Sequence, residues 1–201
     1  MNYDREMLEY IKALDGRAPG LALHSCCAVC SSSVLERLAG HFNITLVYYN
    51  PNIFPREEYE LRKENQLRYI KARDWPRPLK YVDFDYEHGE FLAAARSLEK
   101  EPEGGARCLK CFELRLERTA RYAAQQGLEL LCSTLTLSPH KNAGAVNAAG
   151  RAAAEKHGLR WLPSDFKKRS GFLRSNELAK QYGIYRQDYC GCEFSFKKGE
   201  S

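Results

Sequence analysis

The sequence predicts an α/β fold, a three-layer sandwich on a mostly parallel sheet. Two observations carry that prediction. Short apolar runs, of the kind buried on both faces of a parallel sheet, alternate with longer segments of helical period. A cysteine-rich loop directly follows the first of those runs, where open α/β sheets bind their ligands.

The elements follow in order. Residues 1–14, MNYDREMLEYIKAL, set Met7, Leu8, Ile11 and Leu14 on one face and charges elsewhere. That is an amphipathic surface helix; a signal peptide would need an uninterrupted apolar stretch. Strands are expected at 20–25 (GLALHS), 43–50 (NITLVYYN), 79–85 (LKYVDFD), 128–134 (LELLCST) and 159–162 (LRWL). The clearest helix runs from Pro55 to Asp74, with proline in its first turn. A second helix, Cys108 to Gln126, carries Leu109, Phe112, Leu116, Ala120 and Ala123 on an apolar stripe and stops at Gly127. Residues 50–55, 101–107 and everything after Gly183 have no clear period. The last stretch still holds Tyr185, Tyr189, Cys190 and Cys192. Residues 184–201 are therefore expected to fold back over the strand ends and the active site, within a single domain spanning 1–201. A chain with 44% hydrophobic and 28% charged residues has enough apolar material for one such core.

A net charge of +5 permits an anionic partner such as RNA without requiring one. No apolar run is long enough to span a bilayer, so no membrane association is expected. Eight cysteines without a secretory signal point to a cytoplasmic protein with reduced, metal-bound or catalytic thiols.

Seven of those cysteines fall in three groups. Cys26, Cys27 and Cys30 occupy the loop after the first strand, where Ser31 to Ser33 offer N-cap side chains to the next helix. A phosphate-cradling loop would be glycine-rich, and no glycine stands between Gly20 and Gly40. Cys108 and Cys111 sit about 60° apart on their helix, off the apolar stripe, and can share a ligand. Cys190 and Cys192 flank Gly191, which allows a turn tight enough for both sulfurs to face one metal or each other. Cys132, inside an apolar strand, reads as a core residue, as does His24. Two Cys-x-x-Cys pairs would also suit a structural zinc site, but seven clustered thiols exceed the four that zinc takes. A thioredoxin-like site would use Cys27 and Cys30 and leave the other pairs unexplained. An iron-sulfur site accounts for more of the pattern.

At these residues the sequence resembles the cobalamin-independent epoxyqueuosine reductases of the QueH family. The matching segments are LHSCCAVCSS (23–32), YYNPNIFPREEYELRK (48–63), RCLKCFELRLERTA (107–120), STLTLSPHKN (133–142), SDFKKRSGFLRS (164–175) and YRQDYCGC (185–192). Val29 replaces a usual proline and His140 a usual tyrosine, and neither change removes a candidate ligand. The resemblance implies a sheet like that of the adenine nucleotide α-hydrolases, with cysteines in place of the phosphate loop. It also implies the reaction: reduction of epoxyqueuosine in a tRNA anticodon loop to queuosine, the last step of queuosine biosynthesis. Cys26, Cys27, Cys108 and Cys111 are then expected to ligate a 4Fe-4S cluster. Cys190 and Cys192 are expected to form a redox-active, disulfide-forming pair or to bind an additional mononuclear iron. Cys30 ranks below Cys26 and Cys27 on the family pattern, although spacing alone favours Cys27 with Cys30.

Asp165 is the first candidate proton donor or second-iron ligand, because it follows a strand at its carboxyl edge. Asn50 and Asn52 are placed at the mouth of the site. Phosphate contacts are assigned to Lys167, Lys168 and Arg169, with Arg62-Lys63 and Arg68-Lys71-Arg73 as further basic runs. Tyr189 and Tyr185 are candidates for stacking on the base. The sequence does not name the electron donor. The competing reading is a zinc-stabilised, non-catalytic RNA-binding protein.

Overall fold

The computed structural model describes residues 2–195. Five strands form one sheet: β1 (Gly20–His24), β2 (Asn43–Tyr48), β3 (Leu79–Asp83), β4 (Leu130–Ser133) and β5 (Arg160–Trp161). Each lies inside a predicted apolar run. Their spatial order is β3-β2-β1-β4-β5, and every pairing is parallel. The helices are α1 (Tyr3–Lys12), α2 (Ala28–Leu38), α3 (Arg56–Lys71), α4 (His88–Ala95), α5 (Ala106–Gln125), α6 (Ala143–Lys156) and α7 (Gly171–Gln181). Helix α2 packs against α3 and α7, while α5 packs against α4 and α6, giving the two helical layers of a sandwich. No helix among the described residues is long and apolar enough to cross a membrane.

This order creates one crevice of consequence. The chain leaves β1 toward β2 and β3 on one side, and returns to place β4 and β5 on the other. The carboxyl ends of β1 and β4 therefore meet at a topological switch point, the usual ligand position in such sheets. His24 pairs in register with Ser133 there, and the loop that follows carries the first cysteines.

The strands are legible because they are buried: Leu21, Leu23, Leu46, Val47, Leu130 and Leu131 are at most 0% exposed. On the far side, α6 lies so close to β5 that a Cβ on Gly150 would come within 2.3 Å of the Trp161 ring. Asn147 locks that contact, accepting from Trp161 Nε1 at 2.8 Å and donating to the Ser164 carbonyl at 2.8 Å.

Three local expectations are corrected. Ser31, Ser32 and Ser33 do not cap α2, because the helix begins three residues earlier with Cys27 as its N-cap. Their position inside the helix shows in Ser31 and Ser32, whose hydroxyls donate back to the carbonyls of Ala28 and Val29. Helix α5 begins at Ala106 rather than Cys108. Its apolar stripe is also rotated: Leu109 is 41% exposed, while Cys111 is buried against Phe91, Ala95 and Cys192. The cause is α4, an extra helix between β3 and α5 that gives α5 a further neighbour besides the sheet and α6.

Candidate metal and redox site

The turn from β1 into α2 decides the first cysteine group. The Cys26 amide donates to Thr134 Oγ1 at 3.2 Å, which ties the loop to the end of β4 across the switch point. Cys27 is in extended conformation at the N-cap, and its sulfur accepts from the Cys30 amide at 3.5 Å. Adjacent side chains diverge in regular structure. At this irregular junction Cys26 Sγ and Cys27 Sγ lie 3.9 Å apart. Cys30 joins them, so all three sulfurs fall within 4.8 Å of one another.

Three close thiols share charge unequally. Hydrogen bonds from Cys27 and Cys30 hold the Cys26 thiol well below the ordinary thiol range, helped by the nearby Lys141 and Arg115. Hydrogen bonding to Cys26, with burial and the charge on Cys26 adding to it, pushes Cys27 up to about 11 and Cys30 well above its usual value. Of the three, Cys26 is therefore the thiol that gives up its proton most readily.

The other two groups meet at the neighbouring cavity. Cys108, Cys111, Cys190 and Cys192 all line it, together with Arg115 and Lys141. The Gly104 amide donates to Cys108 Sγ at 3.2 Å. Arg115, one turn beyond Cys111 on α5 and 2% exposed, points Nη1 at Cys111 Sγ, 3.8 Å away. Its Nη2 donates to Asn50 Oδ1 at 2.5 Å, and Asn50 Nδ2 donates to the Ser25 carbonyl at 2.9 Å. One guanidinium therefore links the helix bearing Cys111 to the residue before Cys26. Burial works against the charge of Arg115, and the thiols of Cys111, Cys26 and Cys190 outweigh it. Lys141 behaves likewise toward Cys190, Cys26 and Cys30.

Residues 184–192 lie across this region without regular structure, ending in a short 3-10 turn, Glu193–Ser195. Gln187 Nε2 donates to Cys27 Sγ at 3.0 Å. Arg62 donates to the carbonyls of Cys190 and Tyr189, at 3.2 and 3.4 Å, and stacks over the Tyr189 ring. The Phe54 amide donates to the Gly191 carbonyl at 2.7 Å. Gly191 has φ +101°, and a Cβ there would sit 2.9 Å from Arg62 Nη1 and 3.0 Å from Ile53 Cγ1. Residues 196–201 of the predicted fold-back segment lie outside the described residues.

The remaining predicted residues are placed as follows. Asp165 pairs with Lys167 at 3.3 Å. Lys167 Nζ also donates to the carbonyls of Thr136 and Lys141. Lys168 is exposed, and Arg169 pairs with Asp4 at 3.0 Å. Asn50 and Asn52 are both buried. Tyr189 donates its hydroxyl to the Phe54 carbonyl at 2.6 Å, and Tyr185 to Glu58 at 3.0 Å. Of the other basic residues, Arg62 and Lys63 on α3 pair with Glu58 and Asp83, and Arg73, just beyond the helix, pairs with Glu36. Cys132 is buried in the core and bonded to Ser164. His24 is also core, held between Ser133 Oγ and the Tyr49 carbonyl, with burial bringing its pKa down to about 3.

A family model described as "Epoxyqueuosine reductase QueH" matches residues 21–198. The chain belongs to the QueH family. It is 40% identical over 204 residues to the epoxyqueuosine reductase QueH of Staphylococcus epidermidis, covering 98% of this chain and 86% of that protein. It is 38% identical to the Streptococcus pyogenes serotype M1 protein of the same name, covering 98% and 79%. The Thermotoga maritima protein of that name is 33% identical, over 86% of this chain and 88% of its own. The chain is thus an enzyme of the oxidoreductase class.

Sequence reasoning missed Arg115 and Lys141. A signal for Arg115 was present: it stands four residues after Cys111, and side chains at i and i+4 share a helix face. Lys141 lies in a loop with no such pattern.

Proposed function

We propose that this protein reduces the epoxide of epoxyqueuosine in a tRNA anticodon loop to queuosine, the closing step of queuosine biosynthesis. The observation that carries the reading is a trio of close thiols at the end of β1, with a cavity lined by four more thiols from two other chain segments, in a chain that belongs to the QueH family.

The donor set fits a metal-thiolate group. Soft thiolates suit iron-sulfur clusters, and Arg115 and Lys141 face the thiols with no carboxylate partner among the described residues. A 4Fe-4S cluster of thiolates is anionic, and such cations compensate it. Cys26, Cys27, Cys108 and Cys111 would hold this cluster, with Cys30 within reach of the same position. Bound there, it supplies single electrons at low potential.

The other parts of the reaction fall to the chain's own residues. Deoxygenating an epoxide takes two electrons and two protons, and the oxygen leaves as water. The Cys190 and Cys192 thiols can supply both electrons and both protons, becoming a disulfide as the epoxide becomes an alkene. An external electron donor then restores the dithiol. The alternative role for Cys190, Cys192 and Asp165 is to ligate a mononuclear iron that polarises the epoxide oxygen. Asp165, held by Lys167, is the carboxyl group assigned to passing a thiol proton on to the leaving oxygen. Arg115 keeps the two cluster-bearing segments in fixed relation through Asn50. Lys167, Lys168, Arg169 and Tyr189 are assigned to the RNA, with Asn50 and Asn52 supporting the floor of the site.

The test begins with anaerobic purification, metal analysis and a visible spectrum. Iron, sulfide and broad absorption near ~400 nm are expected. Zinc without that absorption would favour the non-catalytic RNA-binding alternative. Incubating the reduced protein with epoxyqueuosine-containing tRNA should then yield queuosine on nucleoside analysis. Unchanged epoxide, with a full cluster and a competent donor, would refute the reading.

A further inference from the structure

His88, at the first position of α4, belongs to none of the groups above. Its ring is stacked between Phe54, at 5.5 Å and 28°, and Tyr86, at 5.7 Å and 11°. Phe91, which lines the cavity, lies 5.9 Å away on the same helix. Both ring nitrogens face acceptors. Nδ1 lies 2.7 Å from the Pro51 carbonyl oxygen, and Nε2 lies 2.9 Å from Glu193 Oε1. The imidazole bridges the two partners, and its pair with Glu193 is largely shielded, at 16% and 29% side-chain exposure.

Glu193 directly follows Cys192. The Cys190-Gly191-Cys192 turn is thereby held at three points. Arg62 takes its leading carbonyls, the Phe54 amide takes the Gly191 carbonyl, and His88 takes the residue just beyond. His88 also grips Pro51, and Tyr86 donates to the Ile53 carbonyl at 2.7 Å. Residues 51–54 and the turn are thus fixed by the same imidazole. No backbone ladder does this work, since residues 184–192 contain no helix or strand.

We infer that His88 is a positioning residue for the Cys190 and Cys192 thiols, clasping their turn to the 51–54 loop through Glu193. The two thiols line the cavity in this arrangement, and releasing the clasp frees the turn to leave it. The inference rests on the reading of the pair as redox-active only for its second readout below.

The first readout is alkylation of the reduced apoprotein, followed residue by residue by mass spectrometry, with Cys26 and Cys30 as internal references. His88→Ala should raise labelling at Cys190 and Cys192 relative to those references by roughly tenfold, the factor expected from losing one charge-assisted hydrogen bond. Glu193→Ala, on a surface turn outside the core, should do the same and serves if His88→Ala does not fold. The double variant should add little to either single one, because both remove one contact. His88→Gln, which keeps a donor, should restore part of the protection. The second readout is the midpoint potential of the pair in glutathione buffers. It should move in His88→Ala toward that of a free Cys-Gly-Cys peptide. Unchanged labelling ratios in both folded single variants, or fully additive effects, would overturn the inference. If no disulfide forms in any buffer, the redox reading fails and the labelling result still decides the positioning role.

Discussion

The first and last cysteine groups are held by different physics. Cys26, Cys27 and Cys30 sit where a central strand meets a helix N-terminus, and backbone groups set their geometry: the Cys26 amide on Thr134, the Cys30 amide on Cys27. Cys190 and Cys192 sit on a segment without helix or strand, and side chains restrain it: Arg62 and His88 from other elements, and the segment's own Gln187 on Cys27. A site framed by a buried sheet inherits the stability of the core. A site framed by side-chain clasps can open without unfolding anything else. A fixed metal cradle suits the first arrangement, and a part that must exchange electrons and admit a macromolecule suits the second.

The largest test of this contrast is a pair of substitutions. Cys27→Ala should abolish iron-sulfur absorption, and activity should fall by more than the roughly 100-fold that loss of an outer-shell partner costs. Cys192→Ala should retain the absorption and lose turnover. The reverse pattern would invert the assignment of the two regions. Next in size is Arg115→Gln, which strips the buried link between α5 and the first loop. A loss of about 3 kcal/mol in urea unfolding is expected, with Arg115→Lys recovering only part, because one ammonium cannot reach both Asn50 and Cys111 as a fork does.

Charge gives a third test. Cys26 is deprotonated below the ordinary thiol range, whereas Cys192 is pushed up to about 12 by burial. Apoprotein should therefore show ultraviolet thiolate absorbance that develops at a lower pH than that of an ordinary thiol and disappears on acidification. Cys26→Ala should remove that signal and Cys192→Ala should leave it. A smaller effect is expected from Gly191→Ala. Its positive φ and the nearness of Arg62 and Ile53 should cost about 1–3 kcal/mol locally. Amide hydrogen exchange should rise across residues 184–195 and stay constant at the end of β1.

Much of this was readable in advance, and the parts that were not share a cause. All five strands lie within apolar runs because a strand buried on both faces has no polar side to confuse its pattern. The cysteine groups announced themselves by composition. What escaped was anything set by a turn or by distant contacts. The 3.9 Å approach of the adjacent Cys26 and Cys27 sulfurs depends on the irregular turn at which Cys27 becomes the extended N-cap of α2. The rotated face of α5 depended on α4, whose eight residues fall below the length at which periodicity is persuasive. Asn50 looked like a residue of the site's mouth, and it is buried between Ser25 and Arg115. His88 meets Glu193 across 105 residues, a distance no local pattern spans.

The gathering of thiols from remote segments, three at the end of β1 and four at the cavity, has a consequence for folding. A group bonded to sulfurs from two of them closes a loop of roughly eighty residues, and loops of that length carry a large closure entropy in the unfolded chain. Filling the site therefore acts as a staple on the native polypeptide, and emptying it removes the bonds that offset this closure cost. The chain is also made in order, so the first two groups emerge well before the last. Assembly of the cradle can begin while the segment that will cover it is still being synthesised.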